Sequence, residues 1–196
     1  MSKSIVEVDN TDSKYLNETE IKSIMSIIDD DELKLIILFG WDTGCRVSEL
    51  CTLQWQNINF EKCRVRIWDE KKDKFRNCSI STRTRDLLKQ MYDVLDKRKP
   101  YKYVFLARKG RHYAKPISYK TVNRELKRLA LKAGITRRVH WHMMRKSLVR
   151  RWIKSKKSVR EVCQQTGDSP ITIHLHYDEP DDEDMNEVVE AMALGC

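Results

Sequence analysis

The six cysteines of this 196-residue chain include no C-x-x-C pair; Cys45, Cys51, Cys63, Cys78, Cys163 and Cys196 stand at irregular spacings. A zinc ribbon or a disulfide framework is therefore unsupported, and the thiols read as reduced, small apolar core residues. No apolar run approaches the roughly 20 residues of a membrane span, and no signal-peptide pattern opens the chain. A soluble, cytoplasmic protein is expected. There is no P-loop and no internal repeat. What is present is a hydrophobic fraction of 40%, enough for a core, in a length that allows one good-sized domain.

Acidic residues are missing from one stretch in particular. From Arg137 to Arg160 there are many Lys and Arg and no Asp or Glu, whereas from Asp178 onward there are eight acids and no Lys or Arg. The formal charge of +9 thus conceals +17 over residues 1–177, from 38 basic and 21 acidic groups. A field of that sign attracts polyanions and speeds their capture, so a nucleic acid is the expected partner.

Periodicity supplies the elements. Asn17 and Glu20 make a capping-box pattern ahead of Ile21, Ile24, Met25 and Ile28, which repeat at helical spacing. A second helix over 31–44 is apolar on most sides, with Gly44 as its stop. In KCRVRIW, Cys63, Val65 and Ile67 alternate with Arg64 and Arg66 as in a half-buried strand; FRNCSIS reads as its hairpin partner and YKYVFLA as a third strand. Amphipathic helices follow over 84–97 and 118–134, then a basic helix around HMMRKSLVRRWIK. Ser158 and Glu161 cap the next helix, Gly167 ends it, and Ser169-Pro170 starts another. In the tail, Met185, Val188, Val189 and Met192 share one face of a short amphipathic helix. The expected fold class is mainly α with a small antiparallel β-sheet (α+β).

Four features carry chemistry. Arg46 stands at the break after a buried helix, with Glu49 three residues on; a core-edge ion pair is the simplest reading. The hairpin turn DEKKDKFR carries Lys71, Lys72, Lys74 and Arg76, which by themselves describe a solvated turn. His142 and Arg145 are three apart and share a helix face, where they would hold a phosphate beside a proton-transfer group or simply touch a DNA backbone. Tyr177 closes the segment GDSPITIHLHY, and a lone tyrosine is more often packing than nucleophile.

In that order, TGCRVSEL, KKDKFRNCSI, HMMRKS and the segment from Gly167 to Tyr177 resemble the boxes of the tyrosine recombinases, the phage-integrase family. The resemblance runs from about Tyr15 to Met192 and implies that family's catalytic-domain fold. It implies that Arg46 and Arg145 clamp a scissile phosphate, His142 assists proton transfer, and Tyr177 attacks phosphorus. Lys71 is placed at the catalytic-lysine position, with Lys74 and Lys72 as alternatives. Glu49, Lys146 and Asp168 are supporting candidates, and Lys72, Lys74, Arg76, Arg137, Arg138 and Arg150 are candidate DNA contacts. The implied partners are double-stranded DNA and further copies of the chain, as a tetramer on DNA with the tail docked on a neighbour. No metal and no cofactor are implied.

The chain departs from the family at two positions. The residue after Gly167, usually His or Trp, is Asp168, which accepts but cannot donate when ionised. It is expected to orient another residue, such as a histidine; otherwise the alignment slips there and His174 or His176 compensates. Lys146 replaces a frequent histidine and keeps the charge. The expected organisation is a leader over 1–14, a catalytic domain over 15–180 and an acidic tail over 181–196. The leader is too short to supply the helical core-binding domain that usually comes first. Rival readings are a non-catalytic helix-turn-helix regulator built on SVREVCQQTGDSPITIHLHY, a zinc protein using His140, His142, His174 and His176, and a type IB topoisomerase, which shares the chemistry.

Overall fold

Helix α2 (Asp31–Thr43) is buried through its middle, where six consecutive residues, Leu35 to Gly40, face other elements. Asp30 starts it by accepting from the Leu33 amide at 2.8 Å, and Gly44 ends it with φ 55°, a left-handed conformation that favours glycine. This computed structural model describes residues 14–95, 102–107 and 115–177, and of His176 and Tyr177 the backbone only.

Two helices, α4 (Thr82–Asp93) and α6 (His142–Lys154), pack on α2, while α1 (Glu18–Ser26) packs on α5 (Tyr119–Lys132). The capping box of Asn17 and Glu20 forms as the sequence implies, and Ile21 and Ile24 are buried. A short helix α3 (Val47–Cys51) leads through a 3₁₀ turn to an antiparallel sheet ordered β1 (Ile58–Asn59), β2 (Arg64–Asp69), β3 (Lys74–Ser79). Val65 pairs with Cys78 and Ile67 with Arg76, so these four side chains share the inward face. The third strand is thus Ile58–Asn59; in the described part of YKYVFLA, residues 102–107, Tyr103 and Leu106 make isolated bridges to Gln54 and Pro116. Cys63 lies in the turn before β2, with φ 48°.

One continuous core joins α2 (Phe39), the sheet (Val65, Ile67), α5 (Leu126) and α6 (Met144). A smaller cluster of Val149, Val162 and Ile173 fastens α7 (Val159–Thr166) and α8 (Pro170–Tyr177) to α6. The capping box of Ser158 and Glu161, the left-handed Gly167 (φ 81°) and Pro170 at the first position of α8 stand where the sequence puts them. Gln165 ties α7 inward, donating to the carbonyls of Asp42 (2.8 Å) and Ser79 (2.7 Å) and accepting from the Ser79 amide (2.9 Å). The amphipathic tail at 185–192 lies outside the described residues. No described helix is long and apolar enough to cross a membrane.

Gly40 shows how tightly α2 is keyed to the start of α6. A Cβ there would come 2.6 Å from two ring carbons of Trp141, itself buried and bonded from its indole nitrogen to the Cys45 carbonyl at 2.8 Å. Alanine ordinarily gains about 1 kcal/mol over glycine within a helix, but overpacking a filled core costs about 1–3 kcal/mol. Gly40→Ala is therefore expected to lower the urea midpoint of unfolding, and an unchanged or higher midpoint would contradict this packing.

Candidate active site

Three arginines from three parts of the chain meet three carboxylates where α3, the sheet, α6 and the α7–α8 connection converge. Arg46 is the residue before α3; its amide donates to Glu49 Oε2 at 2.7 Å, and its guanidinium lies 2.9 Å from Glu49 Oε1 and 3.3 Å from Asp69 Oδ1. The i, i+3 pairing read from sequence is present, but it is one edge of a network. Arg76, on the inward face of β3, makes a fork onto Glu49 with bonds of 2.8 and 2.7 Å. Arg145, 1% exposed, donates from Nε to the Gly44 carbonyl at 2.9 Å and from Nη1 to Asp168 Oδ1 at 2.6 Å. Its Nη2 lies 3.7 Å from Glu49 Oε2, and Arg46 Nη2 lies 3.5 Å from the same Asp168 Oδ1.

Burial opposes the charge of Asp69, but Arg46, with Arg76 behind it, outweighs burial and holds the carboxyl below the usual aspartate range. Burial alone would lower the pKa of Arg76, yet its bonds to Glu49 more than offset that, so the guanidinium stays firmly protonated. The buried thiols nearby are inert for the converse reason. Desolvation, and then the Glu49 charge, push Cys45 up to about 12, and desolvation pushes Cys78 to about 11.

His142 opens α6 and is exposed. Partial shelter of its ring, then the charges of Arg145 and Lys146, pull its pKa below the ordinary histidine value despite the opposing pull of Asp168. The ring is thus neutral at pH 7 and able to accept a proton. In the hairpin turn, Lys71 is exposed and its amide donates to Asp69 Oδ1 at 3.2 Å; the Lys72 ammonium donates to the Gly167 carbonyl. The backbone of α8 ends at Tyr177.

Several sequence assignments need correcting in place. Arg76 is not an outward contact, since its side chain is 8% exposed and committed to Glu49. Arg137 is an internal tie, with its guanidinium on Glu20 (2.8 Å) and the Tyr15 carbonyl (2.8 Å). Arg150 stacks over the Tyr15 ring at 4.5 Å. Lys74 and Arg138 are exposed, and Lys146 is half-buried. Asp168 does not orient a histidine by any hydrogen bond between described side chains; it bridges two arginines. The sequence motifs point neither to Asp69 nor to an inward Arg76, although both stand in the buried phase of the alternating strands, where a charged residue signals a partner. Among the described residues no three His, Cys, Asp or Glu side chains come together as a metal site.

The family model of the phage integrases matches residues 14–184. The chain belongs to the phage integrase family. Among its relatives, tyrosine recombinase XerA of Pyrococcus furiosus is 31% identical over 193 residues, covering 96% of this chain and 65% of that protein. XerA of Pyrococcus horikoshii is 29% identical over 181 residues, covering 92% and 62%. The chain therefore spans just under two thirds of the length of these recombinases. A XerA crystal structure superimposes with a TM-score of 0.77 at 23% identity, covering 91% of this chain and 64% of that one. XerH, solved bound to its difH substrate before cleavage, gives 0.71 at 20%, covering 90% and 54%. The fold is accordingly that of the family's catalytic domain, mainly helical around one small antiparallel sheet.

Proposed function

We propose that this chain is the catalytic part of a site-specific DNA recombinase that cleaves and rejoins strands through a 3′-phosphotyrosyl intermediate. The observation that carries the reading is the convergence of Arg46 and Arg145, from elements far apart in sequence, on one oxygen. Two guanidiniums aimed at one anion-sized seat suit a phosphate whose charge grows in the transition state, supplying what a divalent metal supplies elsewhere.

Each proposed role follows from its chemistry. The Tyr177 hydroxyl, with an ordinary pKa near 10, attacks phosphorus while neutral His142 takes its proton. Phosphorus–oxygen bond cleavage then releases a 5′-oxygen that requires a proton, which exposed Lys71 supplies. The tyrosyl ester conserves the energy of the broken bond, so rejoining needs neither ATP nor a metal. Glu49 holds the arginines in register, Lys146 adds charge beside the helix, and Lys72, Lys74 and Arg138 contact the DNA backbone. Double-stranded DNA is the substrate, copies of the chain assemble on it as a tetramer, and the reaction takes place in the cytoplasm.

The test is a nicked duplex that traps the covalent intermediate, incubated with the protein in EDTA without ATP. An SDS-resistant protein–DNA adduct is expected. Specific binding with no adduct would favour a non-catalytic DNA-binding protein.

A further inference from the structure

The seat between Arg46 and Arg145 already holds an anion, the carboxylate of Asp168, with the Lys72 ammonium close by at the Gly167 carbonyl. Arg46, Arg76 and Arg145 are matched by Glu49, Asp69 and Asp168. A phosphate entering beside Asp168 sets two anions against the same pair of guanidiniums, which is costly unless the carboxylate withdraws. An ionised carboxylate has no proton to donate to a phosphate oxygen, so it cannot share the seat.

Of the three carboxylates, Asp168 is the one built to leave. Glu49 lies on a helix and is held by the Arg76 fork, the Arg46 amide and the Arg46 guanidinium. Asp69 lies within β2 and accepts from Arg46 and from the Lys71 amide. Asp168 stands in the connection between two helices and, among the described residues, makes one side-chain hydrogen bond, to Arg145. Its Oδ2, like that of Asp69, is buried and has no hydrogen-bond partner among the described residues, so the difference lies in the second acceptor bond that Asp69 makes and Asp168 does not. Arg145 Nη2 likewise has no hydrogen-bond partner among the described residues, which leaves an unused donor beside the seat.

The same carboxylate is tied to the nucleophile's helix. Asp168 follows left-handed Gly167 and precedes Ser169, whose hydroxyl caps the first turn of α8 through the Thr172 amide at 3.1 Å. Beyond Ser169, α8 is held by buried Ile173, while Ile171 and Leu175 face solvent. The Asp168–arginine bridge is thus a principal anchor of its leading end.

We propose that Asp168 is a latch: in the DNA-free protein it occupies the anion seat of Arg46 and Arg145 and pins the start of α8, and an entering phosphate displaces it. Displacement frees the segment that carries Tyr177, so filling the seat and releasing the nucleophile's helix are one event. This rests on reading the two arginines as the phosphate-binding pair, and it makes Asp168 a positioning residue.

The test uses the full DNA-free chain with inorganic phosphate as the probe, followed by calorimetric titration, together with hydrogen exchange over residues 170–177. Asp168→Asn removes the charge at constant shape. It is expected to bind phosphate at least about tenfold more tightly than the wild type, the effect of removing one like charge beside the bound anion. Adding Arg46→Ala should abolish that gain, and the amides of α8 should exchange faster in Asp168→Asn. Asp168→Ala, which also removes the acceptor, should change both readouts in the same direction. Unchanged or weaker phosphate binding in both variants, or a gain that survives Arg46→Ala, would overturn the latch. A gain in phosphate affinity without a covalent adduct on DNA would leave the latch standing and remove the recombinase reading. Adduct formation without the gain would remove the latch alone.

Discussion

Replacing Glu49 with alanine is expected to lower the free energy of unfolding by about 3–5 kcal/mol, the cost of stripping one partner from a buried ion-pair network. Glu49 is 5% exposed and serves three arginines at once, with both Arg76 bonds under 3 Å and Arg46 held from its amide and its guanidinium. Its removal strips Arg76, a buried cation, of its carboxylate partner while Asp69 is already engaged with Arg46; Arg145 keeps Asp168. Against a total of about 5–15 kcal/mol for a domain, that loss is large. Glu49→Gln should fall between, because it keeps the shape and one acceptor while losing the charge. Urea unfolding followed by far-UV circular dichroism measures both. A loss below about 1 kcal/mol in Glu49→Ala, the size of an exposed pair, would show that the network is not what holds these elements together.

The second large effect is on rate. Arg145→Lys should leave a folded protein that binds a nicked duplex and forms covalent adduct about 10²–10³ times more slowly, the cost of losing one preorganised donor to a transition-state oxyanion. Lysine keeps the charge but not the planar fork. Here the fork is divided between the Gly44 carbonyl, Asp168 and an Nη2 without a hydrogen-bond acceptor among the described residues. An ammonium cannot satisfy the Gly44 carbonyl and reach the seat together. Single-turnover adduct formation at saturating protein isolates the chemical step, and a fall of less than about tenfold would contradict the assignment of Arg145 to the clamp.

Local signals in the sequence determined most of the fold. Asn17 with Glu20, Ser158 with Glu161, Gly44, Gly167 and Pro170 each act within a few residues, and each stands where its chemistry places it. The third strand failed for a related reason. YKYVFLA has strand composition, yet its partners at Gln54 and Pro116 are single bridges that no local pattern encodes, while two-residue β1 is too short to show a period. The ordered boxes name Arg46 and Arg145, which the structure brings together, but not the wiring between them. Arg76 looked like part of a basic hairpin surface, and only the register opposite Ile67 turns it inward onto Glu49. Asp168 looked like a departure from the family, because its meaning depends on Arg46 and Arg145 arriving from more than 20 residues away. Non-local ion pairs leave no periodic trace; the available hint was an aspartate, Asp69, in the apolar phase of β2.

The most direct test of the central claim is to find which residue becomes joined to DNA. Adduct trapped on a nicked duplex in EDTA is denatured, digested with protease and nuclease, and the modified peptide sequenced by mass spectrometry. The account predicts a 3′-phosphonucleotide on Tyr177 and no adduct from Tyr177→Phe. Adduct that persists in Tyr177→Phe, or a modified peptide centred on Tyr92, Tyr113 or Tyr119, would contradict it.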